Sequence, residues 1–231
     1  MIRRSGDLKS QNRQPPQNSH RLLLLGHRGA SKYAPENTPA AFSLALQHGC
    51  DGFEFDLRYT RDARSVVCHD ALYKRRRIDR RNFLELKLPS AEDVIRNYAG
   101  RAYLDIELKA PGDLTPLVQI LEKIDRESFV FSSFLPGLLV ELNNRHPEMP
   151  LGLICENFRQ LRRWTSLPIK GVMLHRRLAS RDLTEELHNA DKQVFVWTVN
   201  RERQMKEFVE LGIDGLISDD TRLLVRTLRP Q

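Results

Sequence analysis

The sequence predicts a single α/β domain folded as a (β/α)8 TIM barrel. Three observations carry this: eight short apolar runs, amphipathic stretches between them, and polar residues gathered at the runs' carboxyl ends. At 231 residues and 40% hydrophobic, the chain can bury one sizeable core and is short for two ordinary domains. A doubly wound open sheet is the architectural alternative, but the glycine-rich phosphate loop usual in that fold is missing.

The predicted strands are 22–26, 52–57, 103–108, 129–134, 151–155, 171–175, 194–199 and 215–218. Helical stretches follow at 37–48, 114–124, 136–145, 158–164, 180–190, 201–211 and 221–228, with 90–98 before the third strand. Asn37, Ser180 and Asn200 are cap-like residues at helix starts, and Leu211-Gly212 is a helix stop. Residues 1–20, rich in Gln, Asn, Ser and Pro, are expected to form a disordered basic and polar tail, leaving 21–231 for the barrel. Residues 71–101 form a short basic insertion after the second strand region.

The net charge of +7 raises the question of anionic partners. Nucleic acid is not expected, because no binding motif is present and few aromatics interleave the basic residues. The run Lys74-Arg75-Arg76-Arg77-Ile78-Asp79-Arg80-Arg81 reads either as a solvated face or as a contact for anionic substrates or an anionic lipid surface. No apolar run approaches the roughly 20 residues that span a bilayer; the leucines at 22–25 are a strand-length run between Arg21 and Gly26. The basic start Arg3-Arg4 lacks the apolar segment and cleavage site of a secretory signal. Cys50, Cys68 and Cys155 are odd in number and widely spaced, which reads as reduced thiols and a cytoplasmic protein.

In such a barrel the site is built at the carboxyl ends of the strands. His27 and Arg28 follow the first strand, Glu54 and Asp56 end the second, and Glu107 and Lys109 end the third. Ser133, His175, Trp197 and Asp219 end the fourth, sixth, seventh and eighth. Strand side chains alternate, so Glu54 and Asp56 share one face, and Asp105, Glu107 and Lys109 share another. Carboxylates so placed are costly to bury alone. Three oxygen donors without a thiolate suit a hard divalent cation, Mg²⁺ or Ca²⁺; a salt-bridged network with Lys109 and Arg28 is the equally open structural reading.

Nine motifs in order extend this picture: His27-Arg28-Gly29, Pro35-Glu36-Asn37-Thr38, Glu54-Phe55-Asp56, Thr60-Arg61-Asp62, Val66-Val67-Cys68-His69-Asp70, Ile106-Glu107-Leu108-Lys109, Ser133-Phe134, Val196 to Asn200 and Gly212 to Asp219. From about residue 22 onward the chain resembles the glycerophosphodiester phosphodiesterases. The resemblance implies that Glu54, Asp56 and Glu107 hold one divalent ion, that His27 and His69 are the acid/base pair, that Arg28 and Lys109 grip phosphate, and that Trp197 lines the substrate pocket. Phosphodiester chemistry asks for the same groups: positive charge on the nonbridging oxygens, and one proton removed while another is delivered.

Two departures from the family pattern stand out. The usual Asp-Gly turn before the second histidine is Asp62-Ala63, and the segment after His69 is short and basic. Glu36 and Asn37 read either as loop and cap residues or as substrate contacts. His20, His48, His146 and His188 are given no role, and His175 reads as lining the pocket or as structural. The expected activity is metal-dependent hydrolysis of glycerophosphodiesters to glycerol 3-phosphate and an alcohol. The alternatives are a phospholipase D-like or cyclising phosphodiesterase on lysophospholipids, a Schiff-base aldolase using Lys109, and a non-catalytic barrel that binds anionic lipid.

Overall fold

Parallel hydrogen bonding runs around a full circle of eight strands: β1 (Leu23–Gly26), β2 (Gly52–Tyr59), β6 (Tyr103–Leu108), β7 (Phe129–Ser133), β8 (Leu151–Cys155), β9 (Gly171–His175), β10 (Gln193–Trp197) and β11 (Gly215–Ser218). The circle closes because β1 pairs on one side with β11, Leu23 facing Gly215, and on the other with β2, Leu25 facing Gly52. This computed structural model describes residues 21–230; the tail expected at 1–20 lies outside the described residues. Helices α1 (Pro39–Gln47), α2 (Ala91–Tyr98), α3 (Thr115–Leu121), α4 (Pro136–Arg145), α5 (Phe158–Leu161), α6 (Arg181–Asn189), α7 (Glu202–Glu210) and α8 (Thr221–Leu228) separate the barrel strands. Among the described residues no helix is long and apolar enough to cross a membrane.

Alternation along each strand sorts the core into two shells. Outward residues such as Phe53, Phe55, Leu104, Phe131, Leu153, Val172 and Val196 pack under the helices. Inward residues fill the barrel with one apolar side chain from each of seven strands: Leu25, Tyr103, Val130, Ile154, Met173, Phe195 and Ile217. The eighth strand, β2, turns Gly52, Glu54 and Asp56 inward instead, so the packed floor gives way to carboxylates along one wall. Glycines make room for the large interior groups: a Cβ on Gly215 would sit 2.3 Å from the Phe195 ring.

Several ends differ from the sequence reading. The cap of α1 is Thr38, whose hydroxyl accepts from Ala41 N, and not Asn37; Asn37 has φ 58°, a left-handed conformation that turns its amide toward β2. Asn200 does not cap α7 either, because its side chain is engaged with Ser218 and Asp219. The helix expected over 158–164 stops at Leu161 and passes to a 3₁₀ turn at Trp164–Ser166.

Three small strands lie outside the barrel circle. β2 overruns the barrel and pairs antiparallel with β3 (Ser65–Val67), across a turn in which Ala63 takes φ 56°, the conformation glycine would hold at lower cost. Beyond His69, β4 (Leu72–Tyr73) and β5 (Arg76–Arg77) form a hairpin whose two turn residues, Lys74 and Arg75, have φ 49° and 62°. Ile78, Leu86 and Val66 bury a satellite core beneath this segment, so the basic residues ride on a folded support.

Candidate active site

Adjacent parallel strands bring the carboxylates together. In the β2/β6 register Glu54 faces Asp105 and Asp56 faces Glu107. One oxygen from each of Glu54, Asp56 and Glu107 lies within 4.8 Å of the others. All three residues are buried, Asp56 completely. Burial, then the neighbouring Asp56, Glu107 and Asp105 charges, push Glu54 well above the ordinary carboxylate range. Burial works against ionisation of Asp56 as well, yet Lys109, Arg28 and the Asn37 amide outweigh it and hold Asp56 low. Lys109 donates to Glu107 Oε1 at 2.7 Å and stands 3.2 Å from Asp56 Oδ1.

The donor set fits a hard divalent ion. Glu54 Oε1 is buried without a hydrogen-bond donor, and Asp56 Oδ1 meets only the Lys109 ammonium, outside hydrogen-bond geometry. Buried acceptors left open in this way cost stability unless something positive fills them, and three carboxylates of this kind are Mg²⁺ or Ca²⁺ donors.

The β1–α1 loop delivers the cationic and acid/base groups. Arg28 has φ 54°, which turns its NH onto Glu54 Oε2 at 2.9 Å. Its guanidinium reaches Glu36 at 3.0 Å and lies 3.4 Å from Asp56 Oδ2. Glu36 therefore steadies Arg28, and Asn37, donating to Asp56 Oδ2 at 2.7 Å, steadies a carboxylate; these are positioning contacts that spacing alone left undecided. His27 Nδ1 lies 2.7 Å from Asp219 Oδ1, while Nε2 lies 4.0 Å from Glu54 Oε2. A carboxylate accepting at Nδ1 fixes the proton there and leaves Nε2 for chemistry. Burial opposes the Asp219 charge, but hydrogen bonds from His27, Asn200 and Ser31 bring its pKa down to about 2. His69 is set by its backbone, whose carbonyl accepts from Arg58 Nε and Nη2 at 2.8 and 2.6 Å, and its Nδ1 lies 2.9 Å from Asp70.

These groups surround a cavity of about 210 Å³. Of the eight residues singled out from sequence, His27, Arg28, Glu54, His69, Glu107, Lys109 and Trp197 line it, and Asp56 sits fully buried behind them. Phe134, Ile154, Met173, Trp197 and Ile217 give the same cavity its apolar lining. A larger open cleft of about 790 Å³ beside α8 shares none of these residues.

Ser133, placed at the site by its position at a strand end, turns outward. It bonds Leu108 O and Leu135 N, while its neighbour Ser132 faces in and donates to Asp105 at 2.5 Å. Counting in twos from Val130 identifies Ser132. Burial pushes Asp105 up to about 7. His175 stays outside the cavity lining, its ring 5.1 Å from that of Trp197. Burial favours the neutral form of Lys109, but Glu107 and Asp56 hold its pKa above the ordinary lysine value, which favours the ammonium over the free amine a Schiff base needs.

Comparison with known proteins gives the family and the fold. The model of the glycerophosphoryl diester phosphodiesterase family matches residues 27–82 and 84–223. A glycerophosphodiester phosphodiesterase of Caldanaerobacter subterraneus subsp. tengcongensis is 27% identical over 240 residues, covering 90% of this chain and 98% of the relative. The solved glycerophosphodiester phosphodiesterase of Thermotoga maritima superposes with a TM-score of 0.77 at 25% identity, over 90% of this chain and 98% of that one. An Oleispira antarctica phosphodiesterase, solved with its product sn-glycerol-3-phosphate, shares the fold with a TM-score of 0.79 at 24% identity, over 91% and 97%.

Proposed function

The chain belongs to the glycerophosphoryl diester phosphodiesterase family, and on that premise we propose that its barrel mouth hydrolyses glycerophosphodiesters to glycerol 3-phosphate and an alcohol. One observation carries the reading: three buried carboxylates, two cationic side chains and two imidazoles, drawn from separate segments of the chain, meet at one cavity of about 210 Å³.

Glu54, Asp56 and Glu107 hold one divalent ion, Mg²⁺ or Ca²⁺. When bound, it supplies Lewis-acid charge to a nonbridging phosphate oxygen. Arg28 and Lys109 grip the phosphate from the same side, and their fixed partners mean that little reorganisation is needed as negative charge develops. His27, with Nδ1–H directed to Asp219, offers Nε2 as one proton-transfer atom; His69 offers the other. One takes the proton from the attacking oxygen and the second returns one to the leaving alkoxide. Trp197 and its apolar neighbours shield the reacting centre from bulk water. The basic hairpin that follows His69 draws anionic substrate or an anionic lipid surface toward the mouth.

The test is a panel of glycerophosphodiesters assayed for glycerol 3-phosphate with and without EDTA. Release of glycerol 3-phosphate that stops in chelator and returns with Mg²⁺ or Ca²⁺ supports the reading. Release of a cyclic glycerophosphate as end product, or activity indifferent to chelator, would overturn it.

A further inference from the structure

Glu156 follows β8 in phase with Gly152 and Ile154, so its side chain turns into the barrel mouth and lines the same cavity as Lys109, Trp197 and Phe134. Around the closed sheet β8 lies four strands from β1 in either direction, which places Glu156 across the mouth from His27 and Arg28. Its backbone NH donates to Gln160 Oε1 at 2.8 Å, but its exposed carboxylate enters no ion pair or hydrogen bond among the described residues. Trp197 lines the cavity with it, edge to face with Phe134 at a centroid distance of 5.6 Å, while the Phe134 ring itself carries Lys109 Nζ 5.7 Å from its centroid.

Phosphate binding has no use for this carboxylate. Arg28 and Lys109 line the cavity with the carboxylates of Glu54 and Glu107, and the substrate they grip is an anionic phosphodiester. One more carboxylate in the same cavity repels that substrate unless the substrate brings a cation of its own. An ammonium group beside an anion and against an aromatic face is stabilised by both.

We propose that Glu156, with Trp197, forms a subsite for a cationic group on the alcohol half of the diester, so that the enzyme selects alcohols bearing a primary or quaternary ammonium over uncharged polyols. This rests on the phosphodiesterase reading of the site.

The test compares glycerophosphocholine and glycerophosphoethanolamine with glycerophosphoglycerol and glycerophosphoinositol in the parent, Glu156→Gln and Glu156→Asp. A partly exposed cation site of this kind is worth roughly tenfold. The expected result is that Glu156→Gln lowers the ratio of kcat/KM for the cationic diesters to that for the polyol diesters by about that factor, through KM, and that Glu156→Asp restores part of it. An unchanged ratio overturns the proposal, whether all four substrates suffer equally, as for a contact to the shared glycerol half, or none does. If the parent releases no glycerol 3-phosphate from any of them, the phosphodiesterase reading fails. Calorimetric titration with choline still decides for Glu156: weaker binding to Glu156→Gln supports the cation subsite, and equal binding removes it.

Discussion

Asp219 Oδ1 lies 2.7 Å from His27 Nδ1, a contact between the loops that follow the first and last barrel strands. It exists only because the barrel closes. Replacing Asp219 with Asn removes the negative charge that fixes the Nδ1 tautomer and puts an amide donor in reach of the ring, and kcat is expected to fall by roughly 10²- to 10⁴-fold with a much smaller change in KM. The linkage runs with the sign of a depressed carboxylate: the Asp219 contribution to stability is complete above about pH 4 and is lost as pH falls toward about 2. Melting curves from pH 6 to pH 2 should therefore show a shallower acid limb for the Asn variant; equal slopes would show that Asp219 orients nothing.

Burial and three other acids, Asp56, Glu107 and Asp105, all oppose the charge on Glu54. In EDTA, Glu54→Gln is expected to melt above the parent, because the parent must either bury a charge beside three other acids or take up a proton to avoid it. Saturating metal should reverse the order. At 100 times Kd a bound ion stabilises the parent by about 2.7 kcal/mol, roughly 5 to 10 °C for a chain of this size, while the Gln variant gains little and stays inactive. An equal metal-induced shift in both proteins would remove Glu54 from the ion site.

In the proposed mechanism His27 and His69 divide the proton transfers. On natural alkyl diesters, alanine at either position should cost roughly 10²- to 10⁴-fold. An aryl phosphodiester needs no proton on its leaving group, so the variant lacking the general acid recovers most of its rate and the other does not. Equal losses on both substrate types would contradict the division.

The hairpin turn carries the testable part of the basic run. Arg77 is paired with Asp79 and Arg81 with Glu85, leaving Lys74, Arg75, Arg76 and Arg80 as the exposed cations of the run without an ion pair among the described residues, with Arg75 and Arg76 at and beside the hairpin turn. Changing both to Gln should lower kcat/KM at low ionic strength, leave kcat nearly intact and flatten the salt dependence, because exposed charges beyond about 8 Å are screened at physiological salt. A salt profile identical to the parent's, together with unaltered binding to anionic vesicles, would identify the run as solvated surface.

Local pattern was enough to place the eight barrel strands within two residues at each end, because β-branched and aromatic runs with period two record which face of a strand is dry. The same alternation put Glu54, Asp56, Glu107 and Lys109 on inward faces, and motif order carried His27, Arg28, His69 and Trp197. What the sequence could not contain was distance across the barrel. Asp219 sits 192 residues from His27, and only the pairing of β1 with β11 makes them partners. Asn37 reads locally as a helix cap, but a left-handed φ and a carboxylate on the next strand turn it inward, because satisfying a buried charge outweighs one capping bond. Glu156 and Ser132 follow the same rule: their strand phase is written locally, but whether a phase points at chemistry or at floor packing is decided by which strands the closed sheet sets opposite one another.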